Sequence, residues 1–380
     1  MRIAFVYDTV YPESKGGVEK RVWELARRLV GRGHQVHLLV PKAWDGPTRL
    51  EREGVVLHGV CRARSLYTSK GRRAVWPALA HAFGVFRHLR TEKYELIDCQ
   101  IPAHLAALAA WQQARKESGT KLMVTWHEAW DESWLEEMGL IGRVGRRVES
   151  LVAGVPATHL TVSRQTADTL ARLGRAATAI IPAGVEPARE EWSGSFGFNP
   201  TDVLFVGRLV PTKNLGLLIE ATNLLVGRGI CPRVLVVGDG PHRSIWKDQV
   251  DRLGLNDYID FAGTVESERE VGALLEASKV VAVPSLREGF GMIVLEAAAH
   301  GVPVVTVDHP RNAARHLVRH GVTGLTVLPV PTAFADALQS LLEDEESRDE
   351  MARSAMETAR NATWDAAVDD TEAVYGSRVA

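Results

Sequence analysis

The feature that most constrains this chain is a rhythm that runs through it twice. Short, continuously apolar, β-branched segments alternate with stretches of helical period. In the first half the extended segments fall at residues 3–7, 35–40, 55–60, 96–99, 121–125, 159–162 and 179–181. Helical stretches lie between them. At 17–30, for example, Val18, Val22, Leu25, Ala26 and Leu29 recur near helical spacing. Strands that are apolar on both faces suit a parallel sheet covered by helices on both sides. The rhythm breaks at 186–200, where Pro187, Gly194, Gly197 and Pro200 stand among charged and small residues without periodicity, as in a linker. It then restarts, with strands at 203–206, 233–237, 259–262, 280–283, 304–307 and 325–327. Helices are expected near 214–226, 241–253, 267–277, 290–300 and 312–317, and the tail reads as helical through 333–342 and 347–360.

The expected fold class is therefore α/β, with two doubly wound Rossmann-like domains facing across a cleft. The expected boundaries are an N-terminal domain at 1–186, a linker at 187–198 and a C-terminal domain at 199–360. A tail at 361–380 is expected to pack back on the first domain. The 380 residues suit two such cores. Open α/β domains bind ligands at the carboxyl ends of their strands. A substrate is thus expected between the domains, where closure excludes water.

Bulk properties narrow the function classes. No apolar run approaches the ~20 residues that a bilayer span needs. Met1-Arg2 leads straight into the 3–7 strand, so no signal peptide is expected. Cys61, Cys99 and Cys231 are odd in number and far apart, which disfavours a zinc site or a disulfide framework and makes a reducing cytoplasm the default. Charge is divided unevenly. Residues 1–185 carry 27 Lys and Arg against 18 Asp and Glu, a net of +9, while the remainder carries 18 against 29, a net of −11. A basic first half suits a phosphorylated or otherwise anionic partner, and attraction between oppositely charged lobes would produce the same split.

Four stretches could carry chemistry. In Pro284-Ser285-Leu286-Arg287-Glu288-Gly289-Phe290-Gly291-Met292-Ile293-Val294-Leu295-Glu296, a strand ends, a short loop follows and a helix begins. The amides of Gly291, Met292 and Ile293 would offer donors and about half a unit of positive charge to a phosphate. Gly289 and Gly291 permit close approach of a ligand. Glu288 and Glu296 can accept sugar or ribose hydroxyls, although a plain helix start would also favour an acidic residue. In the second, Gly207-Arg208-Leu209-Val210-Pro211-Thr212-Lys213-Asn214, a fork-shaped and a point-like cation lie five residues apart. They could neutralise a diphosphate leaving group as a metal does elsewhere, or be two solvated loop cations. The third, Gly16-Gly17-Val18-Glu19, opens a helix after the first strand. The fourth, Thr125-Trp126-His127-Glu128, ends a strand and places His127 at the cleft mouth. Smaller elements are Gly238-Asp239-Gly240-Pro241, Gly263-Thr264-Val265, Asp8 and Ser163.

In this order, these elements resemble the retaining two-Rossmann (GT-B) glycosyltransferases, the large group that includes sucrose synthase, bacterial glycogen synthase and bacterial mannosyltransferases. Gly207-Arg208…Lys213-Asn214 and Glu288…Glu296, with seven residues between the glutamates, are the specific part. Ile181-Pro182-Ala183-Gly184-Val185-Glu186 fits the group's crossover segment, with Ala183 where an Asn is usual. The resemblance implies that Arg208 and Lys213 bind the diphosphate, Glu296 the ribose, and Glu288 with the Gly289, Phe290, Gly291, Met292 and Ile293 backbone the transferred sugar. It implies that His127 faces the donor sugar and that Gly16 and Gly17 approach the diphosphate and acceptor. Gly207, Gly238 and Val265 would line the nucleotide pocket, which makes 1–186 the acceptor-binding domain and 199–360 the nucleotide-sugar-binding domain. The implied activity is retaining, metal-independent transfer of a hexose or N-acetylhexosamine from a nucleotide diphosphate sugar to a hydroxyl. UDP-glucose or UDP-N-acetylglucosamine is favoured on priors, with GDP-mannose as the alternative, and no metal or cofactor is expected.

The partners expected are a nucleotide-sugar donor and a small-molecule, glycan or lipid-linked acceptor, with no nucleic acid. Arg62, Arg64, Lys70, Arg72, Arg73, Arg87, Arg90 and Lys93 lie among Tyr67, Trp76, Phe83 and Phe86. That region suits peripheral contact at the inner face of a membrane, or a solvated helix over apolar core. Among rivals, a nicotinamide oxidoreductase would want GxGxxG, which Gly238-Asp239-Gly240-Pro241-His242-Arg243 does not complete. A nucleotide-sugar epimerase would share the fold but transfer no sugar. A non-catalytic binder would not need Arg208, Lys213, Glu288 and Glu296 together.

Overall fold

The computed structural model describes residues 1–65, 74–187, 200–265 and 267–377. The chain forms two compact units, Met1–Ala183 with Trp364–Ala380, and Gly184–Thr363. The expected linker at 187–198 lies, apart from Pro187, outside the described residues.

The first unit runs β1 (Arg2–Val6), α1 (Gly17–Gly31), β2 (Gln35–Lys42), β3 (Arg49–Arg52), β4 (Val55–Arg62), α2 (Val75–Leu89), β5 (Leu96–Ile101), α3 (His104–Ala114), β6 (Lys121–Trp126), α4 (Ser133–Met138), α5 (Gly142–Ala153), β7 (Thr158–Thr161), α6 (Arg164–Arg172) and β8 (Ala179–Ile180). Among the described residues its sheet has the order β3-β4-β2-β1-β5-β6-β7-β8. Alternation along β1 shows how both faces are filled. Ile3 and Phe5 pack with Val22, Leu25 and Leu29 of α1, while Ala4 and Val6 pack with Val85 and Leu89 of α2 and Ala106 and Ala110 of α3. One strand departs from the expected parallel sheet: β3 pairs antiparallel with β4. Glu53 and Gly54 both have positive φ, 50° and 77°, the backbone of a tight hairpin turn.

The second unit runs β9 (Thr201–Val206), α7 (Leu215–Gly227), β10 (Val234–Val237), α8 (Arg243–Leu253), β11 (Ile259–Gly263), α9 (Glu268–Glu276), β12 (Ser278–Val283), α10 (Met292–Ala299), β13 (Val304–Val307), β14 (Gly324–Val327), α11 (Pro331–Glu343) and α12 (Glu345–Ala359). Its strands are ordered β11-β10-β9-β12-β13-β14 and pair in parallel. Val203 and Phe205 face Leu218 of α7 and Phe334 and Leu338 of α11; Leu204 faces Leu274 and Leu275 of α9 and Val294 of α10. Phe334 is fully buried, which contributes roughly 1.5–3 kcal/mol. The helix expected at 312–317 is a single 3₁₀ turn, Ala313–His316, because Asn312 caps it rather than starting a longer helix.

The last helix, α13 (Trp364–Gly376), belongs to the first unit. Ala367, Val368 and Tyr375 enter the core beneath α1. Arg32 pairs at its outer edge with Asp369 and Glu372, and Glu372 also meets His34 at 2.7 Å.

Candidate functional site

Strand order defines a topological switch point in each unit: at β1/β5 in the first and at β9/β12 in the second. Loops leaving such adjacent strands in opposite directions open a crevice. In the second unit these loops are Gly207–Asn214 after β9 and Pro284–Gly291 after β12, the two stretches that carry the specific motifs.

The two loops are tied together. The Leu286 amide donates to Thr212 O at 2.9 Å. Ser285, 1% exposed, donates from Oγ to Glu288 Oε1 at 2.8 Å. Lys213 Nζ forms an ion pair with the same carboxylate oxygen. From sequence Lys213 and Glu288 are expected to hold separate parts of a donor, and in the structure they neutralise each other. Arg208 is exposed on the same loop. Its neighbours are fixed: Gly207 N donates to Val237 O and Leu209 N to Asp239 O, both at 2.9 Å.

Glycine is required where the loops pass one another. Gly238 has φ +131°, and a Cβ there would stand 1.9 Å from Gly207 O. At Gly240 a Cβ would stand 2.5 Å from Leu209 O. Gly291 has φ +104°, and its Cβ would meet Ala314 Cβ at 2.6 Å. Gly291 caps α10, which begins at Met292. Phe290 therefore precedes the helix instead of opening it, because the left-handed Gly291 separates them. Met292 and Ile293 occupy the first turn, and Glu296 lies one turn further on the same face.

Sequence alone assigns no separate role to Asn312 or Ser285. Asn312 is 0% exposed. Its Nδ2 donates to Val307 O at 2.8 Å and Thr306 Oγ1 at 3.1 Å, and its Oδ1 accepts from Ala314 N at 3.2 Å. Glu288 N donates to Arg311 O and Ala313 N to Glu288 O, both at 3.0 Å. The 311–314 segment thus clamps Glu288 from behind. A polar residue in the loop after a strand is the available signal, but its partners are not visible in sequence. Val265 follows β11, the neighbour of β10, and packs against the cluster that holds Val237, Val283 and Val294.

In the first unit, Gly16 caps α1 with extended backbone, φ −165°. Glu19 accepts from Thr9 Oγ1 at 3.0 Å and Ser14 Oγ at 3.1 Å, which ties down the loop that presents Gly16 and Gly17. His127 follows β6 and is 5% exposed. Its Nε2 lies 2.8 Å from Gln100 Oε1. Burial, with the Arg21 guanidinium nearby, pushes its pKa well below the usual imidazole value, so the ring is neutral near pH 7. Arg21 is itself buried, and desolvation lowers its pKa to about 10, against the attraction of Asp98. Glu128 accepts from the Trp130 indole at 3.0 Å. Ser163 caps α6, accepting from Thr166 N at 3.1 Å.

Tandem Rossmann-like units, the second with a cationic loop and a carboxylate-bearing helix start at its switch point, define a class of nucleotide-using α/β proteins. The family model for glycosyl transferases group 1 matches residues 188–358, and that for glycosyltransferase family 4 matches residues 15–189. The chain is 28% identical to a GDP-mannose-dependent alpha-(1-6)-phosphatidylinositol dimannoside mannosyltransferase of Mycobacterium tuberculosis, over 99% of this chain and 96% of that protein. It is 36% identical to a D-inositol 3-phosphate glycosyltransferase of Corynebacterium glutamicum over 47% of this chain, a match that spans 44% of that relative's length. Among solved structures, a sucrose-phosphate synthase from Thermosynechococcus elongatus superposes with a TM-score of 0.82 at 20% identity, covering 98% of each chain. The chain belongs to the GT-B glycosyltransferases.

Proposed function

We propose that this protein transfers a hexose or N-acetylhexosamine from a nucleoside diphosphate sugar to a hydroxyl acceptor, with retention of anomeric configuration and without a metal. The observation that carries the reading is the joined β9/β12 crevice. There Arg208, Lys213 and the first turn of α10 lie within two loops tied by the 2.9 Å Leu286–Thr212 bond. In this reading the diphosphate competes with Glu288 for Lys213, and Arg208 grips it from the exposed side. Their charge stabilises the departing nucleoside diphosphate. Glu288, released from Lys213 but still held by Ser285, accepts from the sugar hydroxyls, and Glu296 accepts from the ribose. His127 contributes as a neutral ring that hydrogen-bonds the donor sugar. With no carboxylate assigned as a nucleophile, positioning and leaving-group stabilisation supply the catalysis.

UDP-glucose or UDP-N-acetylglucosamine is the first donor proposed. A GDP-mannose donor is the second reading, favoured by the GDP-mannose-dependent mycobacterial relative that the chain matches along nearly its whole length. The test is NMR-monitored turnover of UDP-glucose, UDP-N-acetylglucosamine, UDP-galactose and GDP-mannose, with and without EDTA. Cleavage of one donor at a rate unchanged by EDTA is expected. Cleavage abolished by EDTA and restored by a divalent cation would remove the metal-independent reading.

A lipid-linked acceptor reached at a membrane surface is also part of the proposal. No helix among the described residues is long and apolar enough to cross a membrane. Helix α2, however, turns Val75, Trp76, Leu79 and Phe83 outward, Trp76 75% and Phe83 63% exposed, with Arg87 and Arg90 exposed at its end. Tyr67, Lys70, Arg72 and Arg73, expected in the same basic region, lie outside the described residues. Leu140, Ile141, Val144 and Leu151 are likewise exposed along α5 and the turn before it. Apolar side chains beside arginines suit anionic bilayer surfaces. Sedimentation with vesicles containing phosphatidylglycerol is expected, and it should fall about tenfold in a Trp76→Ser, Phe83→Ser double variant. Equal sedimentation of the two proteins would remove this part of the proposal.

A further inference from the structure

Beneath His127 lies a ladder of buried polar side chains, all within the first unit. Strands β5 and β6 are parallel, with Asp98 opposite Met123 and Gln100 opposite Thr125. Alternation therefore puts Asp98, Gln100, Thr125 and His127 on one face of the sheet. Asp98 is 2% exposed, Gln100 and Thr125 1% each. Thr125 Oγ1 donates to both Asp98 oxygens, at 2.8 and 3.0 Å. From α13, the Tyr375 hydroxyl donates to Asp98 Oδ2 at 2.5 Å. Gln100 Oε1 meets His127 Nε2 at 2.8 Å.

The chemistry of these groups runs in one direction. Burial raises the Asp98 pKa, while Tyr375, Thr125, Arg21 and Gln100 each favour its ionised form. An ionised carboxylate only accepts hydrogen bonds. The Gln100 amide nitrogen has no hydrogen-bond partner, but Gln100 stands two residues along β5 on the same face, and its amide favours the ionised carboxylate. The amide oxygen is then the atom left for His127. An oxygen facing Nε2 demands a proton there, which leaves Nδ1 as the acceptor nitrogen.

We propose that Tyr375, Asp98 and Gln100 are positioning residues for His127. The hydroxyl brought by the last helix locks the carboxylate, the carboxylate orients the amide, and the amide holds the imidazole as its Nε2–H tautomer. The functional consequence rests on the reading of His127 as a donor-site residue, whereas the ladder itself does not. The outcome is that α13, which follows the second unit in the chain, completes a site residue of the first. Deleting the helix would impair the site through one hydroxyl as well as through lost packing.

The test uses the full chain labelled with ¹⁵N-histidine. Among the 13 histidines, the His127 ring signals are those missing in His127→Gln. In the parent protein one protonated Nε2 and one acceptor-type Nδ1 are expected. Tyr375→Phe keeps the ring in the core and removes only the hydroxyl. It should move both His127 shifts towards values averaged over the two tautomers while thermal melting stays cooperative. With whichever donor is turned over, kcat should fall on the order of tenfold at unchanged KM. Gln100→Leu, which removes the acceptor directly, should shift the ring further. An Nε2–H tautomer retained in both Tyr375→Phe and Gln100→Leu would overturn the proposal. If the shifts move as expected but His127→Ala turns over normally, the ladder stands and the donor-site role of His127 falls.

Discussion

Replacing Lys213 by alanine lowers turnover of the donor by about a hundredfold or more and leaves the fold intact. Removal of one well-placed charge from a preorganised site typically costs about 3 kcal/mol of transition-state stabilisation. The fold survives because the side chain is not part of the core: it is 24% exposed and its ion-pair partner is Glu288. The loop is held by backbone, through Lys213 N to Val210 O and Asn214 N to Pro211 O, both 3.0 Å. Glu288 loses its cation in the variant but keeps the Ser285 hydroxyl, which limits the cost of an unpaired carboxylate. Arg208→Ala is expected to show a loss of similar size. Turnover and thermal melting of each variant separate a chemical effect from a structural one. Near-normal turnover in either variant would remove that residue from the leaving-group role.

Gly238→Ala destabilises the protein by about 3 kcal/mol or more and damages donor binding as well. Two independent terms act at this position. A φ of +131° is a region that L side chains rarely adopt, and the added Cβ would lie 1.9 Å from the Gly207 carbonyl oxygen. That carbonyl belongs to the loop that carries Arg208, and it is backbone, so relief requires the loop to move. The Gly238 amide also donates to Gly263 O at 2.6 Å, so the ends of β9, β10 and β11 shift together. Gly227→Ala is the control: it closes α7 with nothing within 4 Å of the new methyl, and its effect should stay within about 0.5 kcal/mol. Denaturant unfolding of the two variants makes the comparison. Equal stability would show that the loops yield at no cost.

Much of this architecture was legible because the apolar runs are long and the period changes cleanly between strand and helix. The 304–307 strand was read to the residue, and most other strands to within one or two. The failures have local causes. Arg49-Leu50-Glu51-Arg52 is a mostly charged edge strand with one apolar residue, so periodicity had nothing to register, and its Glu53-Gly54 turn is a weak hairpin signal. Phe290 looked helical because it precedes an apolar helix, and only the φ of Gly291 shows that the chain turns first.

At the site, the residue types were readable and their pairings were not. Lys213 and Glu288 are 75 positions apart, and Tyr375 and Asp98 are 277 apart. Such contacts follow from strand order, which local pattern does not specify. The role of Asn312 is hidden in sequence for a related reason. A buried amide and a helix-starting amide look alike in sequence until the strand end and loop that they bridge are known.

In the proposed function the second unit grips a nucleoside diphosphate through Arg208, Lys213 and the start of α10. Calorimetric titration of UDP and GDP into the protein, beside Arg208→Ala and Lys213→Ala, tests it most directly. Saturable binding of one nucleotide is expected, with about tenfold or greater weakening in each variant, corresponding to the loss of a charge-assisted contact. Binding of neither nucleotide, or equal binding by all three proteins, would contradict it.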